Sequence, residues 1–134
     1  MGRIWVCILA LCALFETGCG ITRTESEERK SVEYTVLGAD AIPPEVEEVI
    51  GRQQGEDFRM TYKSGGYLYL LRGYGTQKSG GYSVQVEEVS VSDTALYFRT
   101  RLLGPTSREE QKGEGSDPWL VVKTEDPGVP VVFE

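Results

Sequence analysis

The chain has 134 residues, carries 21 acidic and 14 basic side chains for a net charge of −7, and contains no histidine. This length predicts a single domain. The acidic balance argues against nucleic-acid binding and against electrostatic attachment to anionic lipid, and the lack of histidine excludes a Ser-His-Asp or Cys-His catalytic arrangement.

Residues 1–18 are predicted to be a signal peptide of the bacterial lipoprotein type. The basic Arg3 precedes an uncharged apolar run at residues 4–15, which is too short to span a bilayer as a stable helix. Gly18-Cys19 then resembles a lipobox, with Glu16 where that motif usually has leucine. The resemblance implies that Cys19 is lipidated and becomes the new N-terminus. The alternatives are cleavage with release into the medium, and an uncleaved N-terminal anchor.

Residues 19–31 are predicted to be a flexible tether, because they hold almost nothing apolar to bury. All three cysteines lie in or directly after the signal peptide, so the domain at residues 32–134 is predicted to lack disulfides and to depend on its core. The predicted location is the outer face of the bacterial cell membrane, reached through the lipid anchor alone. Secretion is the alternative.

The rest of the chain predicts an α+β, mostly β fold, as an antiparallel sheet or small sandwich of about seven strands. Residues 31–37 are the first predicted strand. One helix is predicted at residues 43–54, with Gly55 as its stop. Its buried face is predicted from the helical spacing of Val46, Val49, Ile50 and Gln53.

Two hairpins are predicted in the middle of the chain. Residues 58–63 alternate strictly, and residues 67–71 return as a strand that is apolar on both faces, as expected of a central strand covered by a helix. Residues 83–91 and 95–103 form the second hairpin, with a turn at Ser92-Asp93.

The apolar alternation of the second hairpin slips by one residue between Val86 and Val89. A β-bulge at Glu87-Glu88 restores the buried face and is therefore predicted. With a turn of two residues, the bulge places Val86 opposite Phe98.

Residues 104–117 are polar and glycine-rich and are predicted to be a mobile loop. A last hairpin is predicted from residues 119–124 and 129–133, with a turn at residues 126–128. Pro130 cannot donate to a ladder, which predicts that the final strand lies at an edge or next to a bulge.

The loop at residues 75–82 contains Lys78-Ser79 between glycines but fails as a phosphate loop. Gln77 stands where the motif needs glycine, and a strand follows instead of a helix. For the same reason Ser79 is no nucleophile elbow. We expect no enzymatic activity, no cofactor and no metal site.

Three blocks of sequence resemble the PrcB C-terminal domain family. They are GYGTQKSGGYSVQV at residues 73–86, LLGP at residues 102–105, and PWLVVK at residues 118–123 with PVVFE at residues 130–134. The resemblance implies a small, mostly β domain carried by bacterial lipoproteins. For founding members it implies an accessory role in a surface protease complex. Lys78-Ser79 departs from the Pro-Thr that relatives often have.

The glycine-rich loop is the predicted centre of a contact surface for a protein partner, with the loop at residues 104–117 as a candidate neighbour. Its residues are Gly75, Thr76, Gln77, Lys78, Ser79, Gly80, Gly81 and Tyr82. Glycines allow close backbone approach, while Gln77, Lys78 and Tyr82 offer hydrogen bonds and an aromatic anchor. The alternative is that residues 80–82 only turn the chain into a strand, with Tyr82 in the core.

The predicted function is a non-catalytic extracytoplasmic lipoprotein domain that binds a protein partner, as an accessory subunit of a surface protease complex. A protease inhibitor is the alternative, because the loop is also similar to the Asn-Pro-Thr-Thr-Gly-Tyr loop of chagasin-like inhibitors. An envelope lipoprotein without a dedicated partner is a third. The sequence leaves the partner's identity and the oligomeric state open.

Overall fold

The structure is a computed structural model that describes residues 28–111 and 113–134. The predicted signal peptide, Cys19 and most of the tether lie outside the described residues. Within those residues, no helix is long and apolar enough to cross a membrane.

In the described residues, eight strands form two four-stranded sheets, which confirms the mostly β fold. The strands are β1 Lys30–Ser31, β2 Thr35–Val36, β3 Asp57–Ser64, β4 Tyr67–Tyr74, β5 Ser83–Val91, β6 Leu96–Leu103, β7 Trp119–Glu125 and β8 Val131–Phe133. The open sheet has the order β1-β5-β6-β8, and the covered sheet has the order β2-β7-β4-β3. A hydrophobic core between them joins Leu68 and Leu70 of the covered sheet to Leu96 and Phe98 of the open sheet.

The helix α1, Pro44–Arg52, packs on the outer face of the covered sheet. Val46 and Ile50 are buried against the sheet and Val49 is partly buried beside them, as the helical spacing predicts. The helix is shorter than predicted at both ends, so Gln53, which was predicted on its buried face, is instead the half-buried residue that caps its end. Gly55 lies beyond the helix with a φ of +86°. A 3-10 turn at Ala39–Ala41 precedes α1, and a second short helix, α2, spans Arg108–Gln111.

Strand β4 lies between the two cores, which confirms its predicted central position. Leu68 and Leu70 face the core between the sheets, whereas Tyr69 and Leu71 face α1. Because both faces of this strand are covered, the side chains that point to either face can be apolar. The strand continues to Tyr74, three residues past its predicted end.

The single strand predicted at residues 31–37 is wrong, because the chain here contributes to both sheets. Ser31 pairs with Ser90 of β5, and Thr35 pairs with Lys123 of β7. The residues between cross from one sheet edge to the other. The Val32 amide donates to the Val89 carbonyl at 3.0 Å on the open-sheet side of this crossing. One straight strand cannot pair with two sheets, so the segment divides.

The hairpin of β5 and β6 has the predicted bulge but not the predicted register. The ladder shifts between Val86 and Glu88, as expected, yet Val86 pairs with Thr100 and not with Phe98. The reason is the turn, in which Val91 pairs with Leu96 and four residues lie between them. This turn is two residues longer than the predicted one, which moves the partner of Val86 by two positions.

The last predicted hairpin is also wrong, because β7 and β8 belong to different sheets. Strand β7 pairs antiparallel with β4 in the covered sheet, whereas β8 pairs parallel with β6 at the edge of the open sheet. The turn at residues 126–128 carries the chain across the sandwich. The edge position expected from Pro130 is confirmed, and its carbonyl accepts a hydrogen bond from the Leu96 amide at 2.8 Å.

Candidate functional site

The glycine-rich loop is hydrogen-bonded to the segment that joins β6 to β7. The amide of Gln77 donates to the carbonyl of Ser116 at 2.7 Å, and the return bond from Ser116 to Gln77 is 3.2 Å. The Ser116 hydroxyl also donates to the Ser79 carbonyl at 2.7 Å. We call residues 75–82 together with residues 104–111 and 113–117 the loop pair. The second segment is therefore joined to the glycine-rich loop at Ser116 and contains the short helix α2, whereas its mobility stays a prediction.

Two glycines let the halves of the loop pair approach each other. Gly81 has a φ of +84°, and a β-carbon added there would lie 2.7 Å from the Pro105 β-carbon and 2.8 Å from the Glu110 β-carbon. A β-carbon at Gly115 would lie 2.7 Å from the Gln77 carbonyl oxygen. All three distances are below any normal contact of a β-carbon. These glycines thus have a packing role inside the domain.

The predicted contact residues differ widely in exposure. Thr76, Lys78 and Gly81 are exposed, Gln77, Gly80 and Tyr82 are half-buried, and Gly75 and Ser79 are buried. The Gln77 side chain donates to the carbonyls of Tyr74 and Gly75 at 3.0 and 3.2 Å, so it stabilises the loop from within. Thr76 and Lys78 are the side chains that remain available to a partner.

Tyr82 is neither a fully exposed contact residue nor a core residue, which were the two expectations for it. It is half-buried beside Gly104 and belongs to neither core cluster of the described residues. Together with Trp119 it lines a groove of about 380 Å³. Trp119 itself is 37% exposed, which places a large aromatic side chain near the loop pair.

Arg72 fixes the base of the glycine-rich loop, and the sequence reasoning did not identify it. It is only 5% exposed. Its guanidinium donates to the Asp57 carboxylate at 2.9 Å, to the Phe58 carbonyl at 3.3 Å and to the Gly73 carbonyl. It also lies 3.8 Å from the centre of the Tyr74 ring. The available signal is a charged residue that directly follows the apolar run at residues 67–71.

Trp119 was likewise not predicted as a functional residue, and Asp117 was included only as the last residue of the neighbouring loop. The Asp117 Oδ2 atom accepts a hydrogen bond from the Gly55 amide at 2.7 Å, which ties the end of the loop pair to the segment after α1. Within the part of the chain that the structure describes, no group of histidine, cysteine, aspartate and glutamate side chains is placed to hold a metal ion.

An ionic network covers part of the outer face of the open sheet. Arg99 contacts Glu88 at 2.8 Å, and Arg29 contacts Glu88 at 3.3 Å and Glu134 at 3.1 Å. A hydrogen bond from Ser90 and the two arginines hold the pKa of Glu88 below its usual value, and hydrogen bonding to Glu134 raises the pKa of Arg29. Because the pKa of Glu88 is lowered in the folded state, its contribution to stability is present above its unfolded-state pKa and is lost on acidification. These charges neutralise one another and leave little net charge that could attract a ligand.

Comparison with known protein families gives a match over the central and C-terminal part of the chain. The model of the family described as PrcB C-terminal matches residues 68–125, which run from β4 through the glycine-rich loop, the hairpin of β5 and β6 and the rest of the loop pair to the end of β7. No curated protein and no solved structure matches the chain. The match confirms, for residues 68–125, the resemblance to the PrcB C-terminal family that the sequence blocks indicate.

Proposed function

We propose that the domain is a non-catalytic module that binds a protein partner through the loop pair. The observation that carries this proposal is the bracing of the glycine-rich loop by Ser116, which leaves Thr76 and Lys78 exposed on a preorganised support. A loop that is ordered before binding loses less conformational entropy on association. The absence of histidine from the chain supports a role without catalysis.

We propose that the module lies outside the cell, attached to the membrane, and that it acts as an accessory subunit of a surface protease complex. The apolar leader followed by Cys19 supports lipid anchoring, with secretion as the alternative. The family match supports the general type of domain, and the resemblance of the loop and strand blocks to PrcB proteins supports the accessory role. Inhibition of a protease by the same loop is the alternative.

The test compares capture of partner proteins in the producing cell by the tagged full chain and two double variants. Thr76→Ala/Lys78→Ala removes the exposed side chains of the glycine-rich loop. Thr61→Ala/Lys63→Ala is the matched control, because it removes the same two residue types at the same spacing from exposed positions of β3. We expect the loop variant to lose captured partner by about tenfold or more, and the control to retain it.

All three proteins should unfold within roughly 0.5 kcal/mol of one another, since exposed substitutions have small effects on stability. Equal capture by the three proteins would contradict the proposal and favour an envelope lipoprotein without a dedicated partner. When the captured partner is a protease, its activity with and without the purified chain separates the two roles. Unchanged or raised activity supports an accessory subunit, and nanomolar inhibition supports the alternative.

A further inference from the structure

We propose that a cleft beside the loop pair receives a lysine or arginine side chain of the protein partner. The proposal rests on the protein-binding function given above and names a chemistry for that partner. The cleft lies between α1 and the start of β7 and has a volume of about 480 Å³. Its walls include Glu47, Ile50, Gly51, Phe58, Asp117 and Trp119. We call it the Trp119 cleft.

The charge of the Trp119 cleft is negative and lacks a counterion from its own walls. Glu47 and Asp117 contribute two carboxylates, and none of the described residues that line the cleft is basic. The Oδ2 atom of Asp117 accepts one backbone hydrogen bond, whereas its Oδ1 atom is enclosed and has no hydrogen-bond partner among the described residues. Buried polar atoms normally have a partner. An ammonium or guanidinium group beside Asp117 would compensate this charge.

Trp119 gives the cleft an aromatic wall. The side chain is 37% exposed although it lies within the covered sheet, where it pairs with Gly73. The face of an indole ring attracts a cation more strongly than the rings of tyrosine or phenylalanine do. The apolar walls at Ile50 and Phe58 suit the methylene stem of a long basic side chain. Carboxylate, aromatic face and apolar wall together favour lysine or arginine over a free metal ion.

Gly51 keeps the Trp119 cleft open at a cost to the helix. Glycine is a poor helix former, and this one lies inside α1. A β-carbon added at Gly51 would meet no atom within 4 Å, so no contact inside the domain requires the glycine. Gly73, by contrast, cannot carry a β-carbon because the Phe58 ring occupies that space. The missing side chain at Gly51 leaves space in the cleft that a side chain of the partner can occupy.

The position of the cleft suits a single partner that also touches the loop pair. Asp117 directly follows Ser116, whose backbone and hydroxyl brace the glycine-rich loop. A protein that contacts Thr76 and Lys78 can therefore reach the cleft with a neighbouring basic side chain.

The test uses the detergent-solubilised full chain with Trp5→Phe, which leaves Trp119 as its one tryptophan. The probes are Nα-acetyl-lysine methylamide and Nα-acetyl-arginine methylamide, with the norleucine analogue as an uncharged control. We expect a saturable change in Trp119 fluorescence with a basic probe and none with norleucine. Asp117→Asn, Glu47→Gln and Gly51→Leu should each weaken binding by about tenfold, because they remove a charge or fill the space. Glu48→Gln is the matched control and should bind normally.

Besides a failure of both basic probes to change the fluorescence, two results would overturn the proposal. One is an equal response to the norleucine probe, and the other is unchanged binding by a Gly51→Leu variant whose circular dichroism is native. The capture experiment is scored separately. Failed probes together with lost capture by Thr76→Ala/Lys78→Ala would remove the Trp119 cleft as a site while leaving the proposed function intact. Bound probes together with unchanged capture by that variant would support the cleft and contradict the loop pair as the contact surface.

Discussion

Replacing Gly73 with alanine is expected to destabilise the domain by about 3 kcal/mol, because the new methyl group overlaps a buried ring. The added β-carbon would lie 2.2 Å from one carbon of the Phe58 ring and 2.7 Å from two others. Phe58 is only 6% exposed and packs between the covered sheet and α1, so it has little room to move. Gly73 is also paired on both sides, with Phe58 of β3 and Trp119 of β7, which restrains the backbone. Urea unfolding monitored by circular dichroism measures the change.

Gly51→Ala is the matched control for this prediction. The same methyl group meets no atom there, and the better helix former should stabilise the domain by roughly 0.5–1 kcal/mol. A double-mutant cycle with Phe58→Leu tests the cause, since a smaller side chain at Phe58 should reduce the cost of Gly73→Ala. A Gly73→Ala variant as stable as the wild type would show that the ring is not confined in this way.

Replacing Arg72 with methionine is expected to cost about 2–3 kcal/mol, because methionine keeps the apolar stem but none of the charged hydrogen bonds. The buried guanidinium joins the Asp57 carboxylate to two strand carbonyls and stacks on Tyr74. Tyr74 in turn shares a hydrogen bond of 2.7 Å with Thr100, which links the two sheets. Loss of Arg72 therefore loosens the base of the glycine-rich loop as well as the strand.

Arg59→Met is the control for the arginine prediction. Arg59 contacts the same Asp57 carboxylate, at 3.7 Å, but its side chain is 52% exposed. Ion pairs in solvent contribute little, so we expect a change within about 0.5 kcal/mol in the same urea titration. Equal losses for the two variants would contradict the idea that burial makes Arg72 important.

The sequence predicts those features of the fold that depend on which face of a segment is buried. The sequence of β4 is apolar on both faces because the strand lies between α1 and the open sheet. The apolar alternation shifts by one residue after Val86 because the strand has a bulge there. Burial leaves a period in the sequence that can be read locally. The helical face of α1 is predicted correctly for the same reason.

Pairing between distant strands leaves no such local pattern. The division of residues 31–37 between two sheets and the parallel pairing of β8 with β6 depend on how the sheets meet in space. The register error in the long hairpin has a local cause, because Ser92 closes a turn of four residues. Its amide donates to the Ala95 carbonyl at 2.8 Å, and its hydroxyl accepts the amides of Thr94 and Ala95 at 3.2 and 3.3 Å.

The candidate site was predicted in part. The glycine-rich loop stands out by composition, but its bracing by Ser116 and the approach of Gly81 to Glu110 join residues far apart in the chain. Arg72 and Trp119 resemble ordinary strand residues until burial and exposure are known. Partner binding by the eight loop residues stays a prediction, now concentrated on Thr76 and Lys78.

Photocrosslinking in the producing cell, followed by mass spectrometry, tests the protein-binding role most directly. A photoreactive amino acid is placed at position 78 in one variant and at position 63 in the other, since Lys63 is also exposed but lies at the opposite end of the β3–β4 hairpin. We predict one major protein adduct from position 78 that is missing from position 63. The same adducts from both positions, or none from position 78, would contradict the role of the loop pair in partner binding.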